Sequence, residues 1–561
     1  MNKEKKPPDF TSTWKEYEKG VGFNTQINLR DTVKTNENFF IGKQWEGVAA
    51  NGLPTPVFNF LKRVTLFSVA SITSDNLKMQ ASPLAATTDK ETAQRAADVI
   101  NHEFERLFEE NKVVNMLREY MRNAAVDGDG CLYTYWDAAA ETGQKGVKGR
   151  IVTEVLRNTQ VYFGNPNERA VQKQPYILIE THESFEDVKA RAKENGCEGW
   201  RDIQPDNGTT DAPIITDDKV TVILKLWRNR ETKTIWAYEC TRNSDVRKAW
   251  DTELRLYPIN WLNWDYVQDC YHGQALITGL IPNQIFINKL FAMSMISLMT
   301  TAYPKIVYDK TRVTNWDTRV GAAIGINGGD VNSVAKIIDP AQISPQIAQF
   351  IELAVNYTQT FLGATPAALG DTRPDNTSAI IALQRAASTP SEITKQNLYQ
   401  SLEDLGRIYV DFMSAFYGKR EVYVEPPKDL DPQILAFAGI GEIISTKFDF
   451  DTLRKMGFSL KLDIGASAYW SEIASMQTLD NLLMQGKIDI VDYLERVPEG
   501  YITKRKELVE KVKSLQSIMG QMQSVTGEGG QVAPTPSQMS IPIGAGNAGL
   551  QRAITSDEIV A

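Results

Sequence analysis

The chain is poor in the residues that build reactive centres. It has only three histidines, His102, His182 and His272, and four cysteines, Cys131, Cys197, Cys240 and Cys270, in 561 residues. The cysteines lie far apart and form no CxxC pair, so a clustered zinc site is excluded and reduced, structural thiols are expected. Net charge is −9, from 61 Lys+Arg against 70 Asp+Glu. That excludes a broad basic face that grips nucleic acid by neutralising phosphates, but not a wall past which DNA slides. No apolar run follows the basic residues of MNKEKKPPDF, so no secretory signal is expected, and the sequons at Asn207 and Asn376 carry no weight. The longest apolar run, Leu290 to Tyr303, falls short of the ~20 residues that a membrane span requires. A helix buried between neighbouring subunits fits it better.

Catalytic motifs are equally sparse. There is no GxSxG elbow, no HExxH and no clustered D…ExK-like core, and GASAY at 465–469 lacks the second glycine. Acids are abundant, so a carboxylate-metal nuclease stands as the enzymatic alternative. The DGDG at 127–130 invites a calcium reading, yet Cys131 and Tyr133 occupy positions where ligands should stand, and a helix-stop turn is expected instead. The Gly-rich GAAIGINGG contains neither GxGxxG nor GK[ST], so it is no phosphate cradle. No catalytic residue, metal site or cofactor is expected.

What the chain does have is length and an ordinary soluble composition, 42% hydrophobic and 23% charged. Together these predict roughly three or four domains. The first forty residues, mixed in charge, read as a partly ordered arm. Pro54 and Pro56 precede a helix with Val57, Leu61, Val64 and Phe67 at three- to four-residue spacing. Glu91 to Val126 reads as helix, broken near Asn111. From Gly149 to Glu239 the pattern is mostly strand (RIVTEVL, PYILIE, KVTVILKLW, TKTIWAYEC) with a helix at Ser184 to Asn195. Far downstream, Phe458, Leu460, Leu462 and Ile464 alternate strictly. That strand should return to pair with the early β region, so the domains are not contiguous in sequence.

The centre is the most informative part. Ala275 to Tyr303 holds one charge, Lys289, and Ala341 to Gly370 holds one, Glu352. Ser344-Pro345 starts a helix whose stripe runs through Ile343, Ile347, Phe350, Ile351, Ala354, Phe361 and Leu362. With so little charge, that helix must be buried on several sides or packed in a ring of copies. Gly363 should end it. Between the two helices, Lys305–Tyr308, Val320–Ile326 and Val334–Ile338 are strand candidates, with a hairpin signal at Asn327-Gly328-Gly329. A polar loop, 364–377, carries Asp371, Arg373 and Asp375 and leads to the helix SAIIALQRAA, which Pro390 should break or kink. Helices are expected at Ser471–Gln485 and Thr503–Gln523, the latter with a heptad-like seam at Leu508, Val512, Leu515, Met519 and Met522. After Val525 the chain is Gly/Pro/Ser-rich and should be flexible.

This order of elements resembles the portal proteins of tailed bacteriophages. IGKQW followed by VFNFLKRV is similar to the N-terminal part of that family. YHGQALITGLIPNQIFINKLF looks like the first stem helix, SPQIAQFIELAVNYTQTFLG like the second, and DNTSAIIALQRAA like the helix after the tunnel loop. The resemblance covers Asn38 to Gln523. It implies an α+β, multi-domain ring subunit: N-terminal arm 1–37, wing 38–270, stem helix 271–303, clip 304–340, second stem helix 341–363, tunnel loop 364–377, long wing helix 378–420, wing return strands 421–465, helical crown 466–525 and flexible tail 526–561. It also implies a dodecameric ring at one capsid vertex of the virion, assembled in the host cytoplasm, through which double-stranded DNA is packaged and ejected. The implied partners are the terminase large subunit, then a head-completion adaptor protein, together with major capsid and scaffolding proteins; no membrane is involved. Asp371, Thr372, Arg373 and Asn376 would line the channel. Lys310, Arg312, Asp317, Arg319 and Asp330 would form the clip's docking surface. Ile347, Phe350, Ile351 and Phe361 would pack the stem, and Leu508, Val512, Leu515 and Met519 the crown. A different phage ring or tail component is the structural alternative.

Overall fold

A computed structural model of the chain describes residues 7–74, 77–84, 90–141, 148–206, 218–302, 306–317, 319, 323–337, 345–361, 392–424, 444–463, 476, 479–497, 508–509 and 511–513. The chain divides into two units, 1–468 and 469–561.

The first unit opens with two helices, α1 (Phe10–Gln26) and α2 (Leu29–Ile41), where a partly ordered arm was expected. Asp9 caps α1 by accepting from the Ser12 amide at 2.9 Å. Phe10, Trp14, Tyr17 and Val21 form one face of α1 and pack on Tyr162, Leu178, Ile223, Tyr238 and Cys240 of a sheet below. Helix α3 (Phe60–Ile72) begins after Asn59, whose side chain accepts from the Lys62 amide. Val57 therefore lies ahead of the helix, in the irregular stretch that contains Pro54 and Pro56, and is exposed.

The break near Asn111 is present. Helix α4 (Lys90–Glu110) and helix α5 (Val113–Asp127) are separated by Lys112 in the left-handed region, φ 49°. Asn111 donates to the carbonyls of Leu107 and Ile151 and accepts from the Thr153 amide at 2.9 Å. One side chain thus ends α4 and holds the edge of the neighbouring strand.

Two antiparallel sheets follow. In the first, β3 (Lys148–Leu156), β2 (Asp129–Glu141) and β9 (Ile259–Asn263) lie in that order. The second is a meander of β4 (Val161–Phe163), β5 (Tyr176–Ser184), β6 (Lys219–Arg228), β7 (Ile235–Cys240) and β8 (Asp245–Asp251), interrupted by α6 (Phe185–Glu194). Strands β3, β5, β6 and β7 and helix α6 occupy the stretches their patterns predicted, whereas β8 and β9 were not expected.

The chain then leaves and comes back. Helix α7 (Ile281–Ala302), the short strands β10 (Ile306–Tyr308) and β11 (Ala335–Ile337), and helix α8 (Pro345–Phe361) make the excursion. Helix α9 (Glu392–Phe416) returns and buries Leu398, Leu402, Leu405, Tyr409 and Phe412 in the main core. Tyr120 and Tyr409 tie it polar-side to the body, at 2.9 Å from the hydroxyls of Ser401 and Thr153 respectively. Strands β12 (Lys419–Val424) and β13 (Ile444–Asp449) pair with each other. Strand β14 (Phe458–Asp463) does return, but to β1 (Lys78–Pro83) rather than to the strands of 149–239. Both large sheets are already assembled, whereas β1 lies on α4 with only Met79 and Ala81 buried and needs a partner along its length.

In the second unit, Asp489 caps helix α10 (Ile490–Arg496). The helical residues 479–484 end before Gly486, φ 64°, as its position predicted. Residues 508–509 and 511–513 are helical. The four cysteines are free thiols, and Cys131, Cys197 and Cys240 are buried.

Candidate stem, clip and wing-to-stem joint

The segment that carries the chain from the sheets into α7 is held by a buried polar knot. Helix α5 ends at Gly128, φ 103°, so the DGDG acts as a stop. A side chain on Gly128 would meet the Gly273 carbonyl at 2.7 Å. One on Gly273 would meet the Asp265 carbonyl at 2.7 Å and Asn263 Cβ at 2.8 Å. Only glycines let these two backbones cross so closely. Asp129, fully buried, accepts from the Gly273 amide (2.6 Å), Asn263 (2.7 Å) and Asn158 (3.2 Å), and lies 2.7 Å from His272 Nδ1. The far side of the His272 ring, Nε2, lies 3.2 Å from Asn24 Oδ1 of α1. Just beyond, Asn36 of α2 donates to the Val126 carbonyl and to Thr278 Oγ1. A carboxylate with this many donors is compensated for its burial.

Asp127 is the contrast. It sits buried at the C-terminal end of α5, where the helix dipole opposes negative charge. Burial pushes its carboxyl up to about 7; Arg122 and Arg157 oppose the shift, while Glu37 and Asp129 add to it.

Helix α7 has two characters. Its entry is gripped: Ile277 and Leu280 just ahead of the helix, and Ile281 and Ile285 in its first turns, pack with Phe39, Phe40, Leu61 and Val126. Gln284 and Asn288 are buried and hydrogen-bonded to Phe58, Leu61 and Gln44. Phe291 stacks on Phe58 with ring centroids 3.9 Å apart. Part of its apolar surface is bare in the single chain, at Phe286 in the second turn and at several positions of the later turns. Phe286, Met293, Met295, Leu298 and Met299 are exposed, with Leu298 at 61%. Helix α8, which packs against α7, likewise exposes Phe350, Leu353 and Tyr357. No helix of the described residues is long and apolar enough to cross a membrane.

The stretch between α7 and α8, expected to be a clip, is small. Strands β10 and β11 pair antiparallel, Ile306 opposite Ile337, over the buried Val313 and Val334, and Tyr308 stacks on Trp316. Residues 323–326 form no strand, although 320–326 were expected to. Gly and Ala there supply little of the cross-strand contact that holds a ladder, and β11 pairs with β10 instead. The Asn-Gly-Gly turn does take positive φ at Gly328 and Gly329, 74° and 95°, but it leads through a 3-10 turn at 331–333 and not into a tight hairpin.

The residues expected to dock partners divide. Arg312, its side chain 42% exposed, lies 3.6 Å from Asp309 and donates to the Ser333 hydroxyl at 3.2 Å. Asp330 accepts from the Asn332 amide, and its carbonyl from Ser333. Asp317 and Arg319 form an exposed pair at 2.6 Å, and the guanidinium hydrogen bond holds the Asp317 carboxyl below its ordinary value. Lys310 is exposed. Of the stem positions, Phe350 is 57% exposed and Ile351 half-buried, both on α8 with Ile347 and Phe361. Leu508 is exposed and Val512 half-buried. Leu515, Met519 and the residues expected in a tunnel loop, Asp371, Thr372, Arg373 and Asn376, lie outside the described residues, as do Pro390 and the segment SAIIALQRAA. Sequence reasoning missed Asp129, His272, Gln44, Gln284 and Asn288. The Gln/Asn pair four residues apart in a nearly uncharged helix was the available signal.

Among the described residues, no group of three or more His, Cys, Asp and Glu is placed to hold a metal ion. No curated protein matches the chain. Residues 254–424, which run from just before β9 through α7, the stretch between α7 and α8, α8 and α9 to β12, match the family model described as Phage P22-like portal protein, so this part of the chain is similar to phage portal proteins.

Proposed function

We propose that this chain is the repeating subunit of a portal ring, a dodecamer at one vertex of a tailed-phage capsid. On this reading double-stranded DNA passes through its axial channel during packaging and ejection. The clip receives the terminase large subunit and afterwards a head-completion adaptor, while capsid and scaffolding proteins surround the wing. The role is structural and carries no catalytic step.

One observation supports the reading above the others. The two helices inside the family match leave Phe286, Met293, Leu298, Met299, Phe350, Leu353 and Tyr357 exposed in the single chain. Apolar surface of that extent marks a contact with another protein. Copies arranged around an axis would cover it, and a ring closes such a heterologous contact without free ends. The charge balance fits as well: a channel built from an acidic chain would not hold DNA by many phosphates at once.

Electron microscopy of the purified chain tests this. Rings with an open axial channel are expected. Compact monomers at every concentration, and also in the presence of scaffolding protein, would send the assignment elsewhere.

A further inference from the structure

We propose that Gln44, Gln284 and Asn288 form a register lock that fixes the position of α7 along its own axis relative to the body of the subunit. The inference rests on reading α7 as a stem helix only for its consequence; the lock itself is a property of the single chain.

Within 281–299, Gln284 and Asn288 are the fully buried polar side chains of α7, 0% and 2% exposed and one turn apart on the same face. They take up the main chain of the segment ahead of α3. Gln284 Nε2 donates to the Phe58 carbonyl at 2.6 Å, and its Oε1 accepts from the Leu61 amide at 3.4 Å. Asn288 Oδ1 accepts from the Phe58 amide at 3.4 Å and from Gln284 Nε2 at 3.0 Å. Asn288 Nδ2 donates to Gln44 Oε1 at 2.7 Å, and Gln44 Nε2 donates to the Phe39 carbonyl at 3.2 Å. Three amides therefore join the end of α2, the lead into α3 and the side of α7, and none of their atoms is left buried without a partner.

The surrounding contacts cannot set register by themselves. Ile281 and Ile285 pack with Phe39, Phe40 and Leu61, Ile287 and Ala292 are buried too, and apolar packing is non-directional. A slide of one turn, about 5.4 Å, would exchange one aliphatic contact for another. The same slide would put Leu280 where Gln284 stands or Ala292 where Asn288 stands, leaving the buried Leu61 amide or the buried Gln44 Oε1 without its partner. Buried polar groups that select one register among similar apolar packings are a known device. In an assembled ring, that register would set how far the exposed half of α7 projects.

The test places reporter cysteines in the full chain in a Cys270→Ser background. Phe58→Cys is combined with Phe291→Cys, or with Met295→Cys one turn further on, and a short bismaleimide is applied. With the lock intact, the 58–291 product dominates at least tenfold over 58–295. In Gln284→Leu/Asn288→Leu, still folded by circular dichroism, the 58–291 yield should fall several-fold. A folded double variant with an unchanged pattern would overturn the proposal. Should the double variant fail to fold, Gln44→Met, which leaves α7 untouched, carries the same test: a several-fold fall supports the lock and no change refutes it. A locked register in a chain that forms no rings would count against the stem reading and leave the lock standing.

Discussion

Replacing Leu298 with glutamate separates the stability of the subunit from its assembly. Leu298 is 61% exposed in the single chain, so little of its side chain contributes to the subunit's own fold. Fully burying a leucine is worth about 1.5–3 kcal/mol, so a neighbouring copy covering the exposed share gains ~1–2 kcal/mol at each contact. Glutamate forfeits that gain and adds the cost of desolvating a carboxylate, several kcal/mol unless it takes up a proton. Every subunit of a ring carries the defect, so the loss repeats around the circle. Leu298→Glu should therefore melt as wild type, within ~0.5 kcal/mol as for most surface changes. By mass photometry it should remain monomeric at concentrations where wild type assembles. Leu298→Ala should fall between, raising the concentration needed by about tenfold for each ~1.4 kcal/mol lost per contact. A glutamate variant that assembles at the wild-type concentration would refute the reasoning.

Other outcomes follow from the joint. Folded Asp127 keeps its proton until about pH 7, against 3.8 as its ordinary value, so the native chain binds more protons between those values and its stability falls as pH rises through that window. Asp127→Asn removes the slope: its stability relative to wild type should grow by up to about 4 kcal/mol between pH 4 and pH 8, read by urea unfolding. A pH-independent difference would show that Asp127 does not titrate there. Gly273→Ala should cost ~1–3 kcal/mol, because its methyl meets backbone that cannot retreat. Gly279→Ala, with nothing within 4 Å, should be near neutral in the same melts. Arg373→Ala should impair DNA packaging or retention while rings still form; unchanged length and stability of packaged DNA would remove the tunnel-loop assignment.

How much of this was legible depended on where each element keeps its apolar residues. The α4–α5 break and the Asp-Gly stop were readable because Ile100, Phe104 and Leu107, then Leu117, Tyr120 and Met121, mark clean helical faces. Helix α1 was hidden although Phe10, Trp14, Tyr17 and Val21 hold four-three-four spacing, since charges interrupt them and its fully buried positions are Thr13 and Asn24. Strand β1 was invisible: Lys78 to Pro83 buries only Met79 and Ala81, and ends on a proline. Its pairing with β14 spans almost the whole first unit, a relation no local pattern contains. The clip stretch misled in the other direction, offering a glycine turn and β-like spacing without the side chains to hold a third strand. Charge depletion of α7 and α8 was plain, but the amides that anchor α7 looked like ordinary polar residues. Only their partners, more than two hundred residues away in sequence, distinguish them.

The central claim is that the bare faces of α7 and α8 are covered by neighbouring copies around an axial channel. A cryo-electron reconstruction of the assembled particle at side-chain resolution measures this directly. The account predicts that Phe286, Met293, Leu298, Met299, Phe350, Leu353 and Tyr357 are buried between adjacent subunits of a closed ring. An assembly in which these residues remain open to solvent, or in which no axial channel exists, would contradict it.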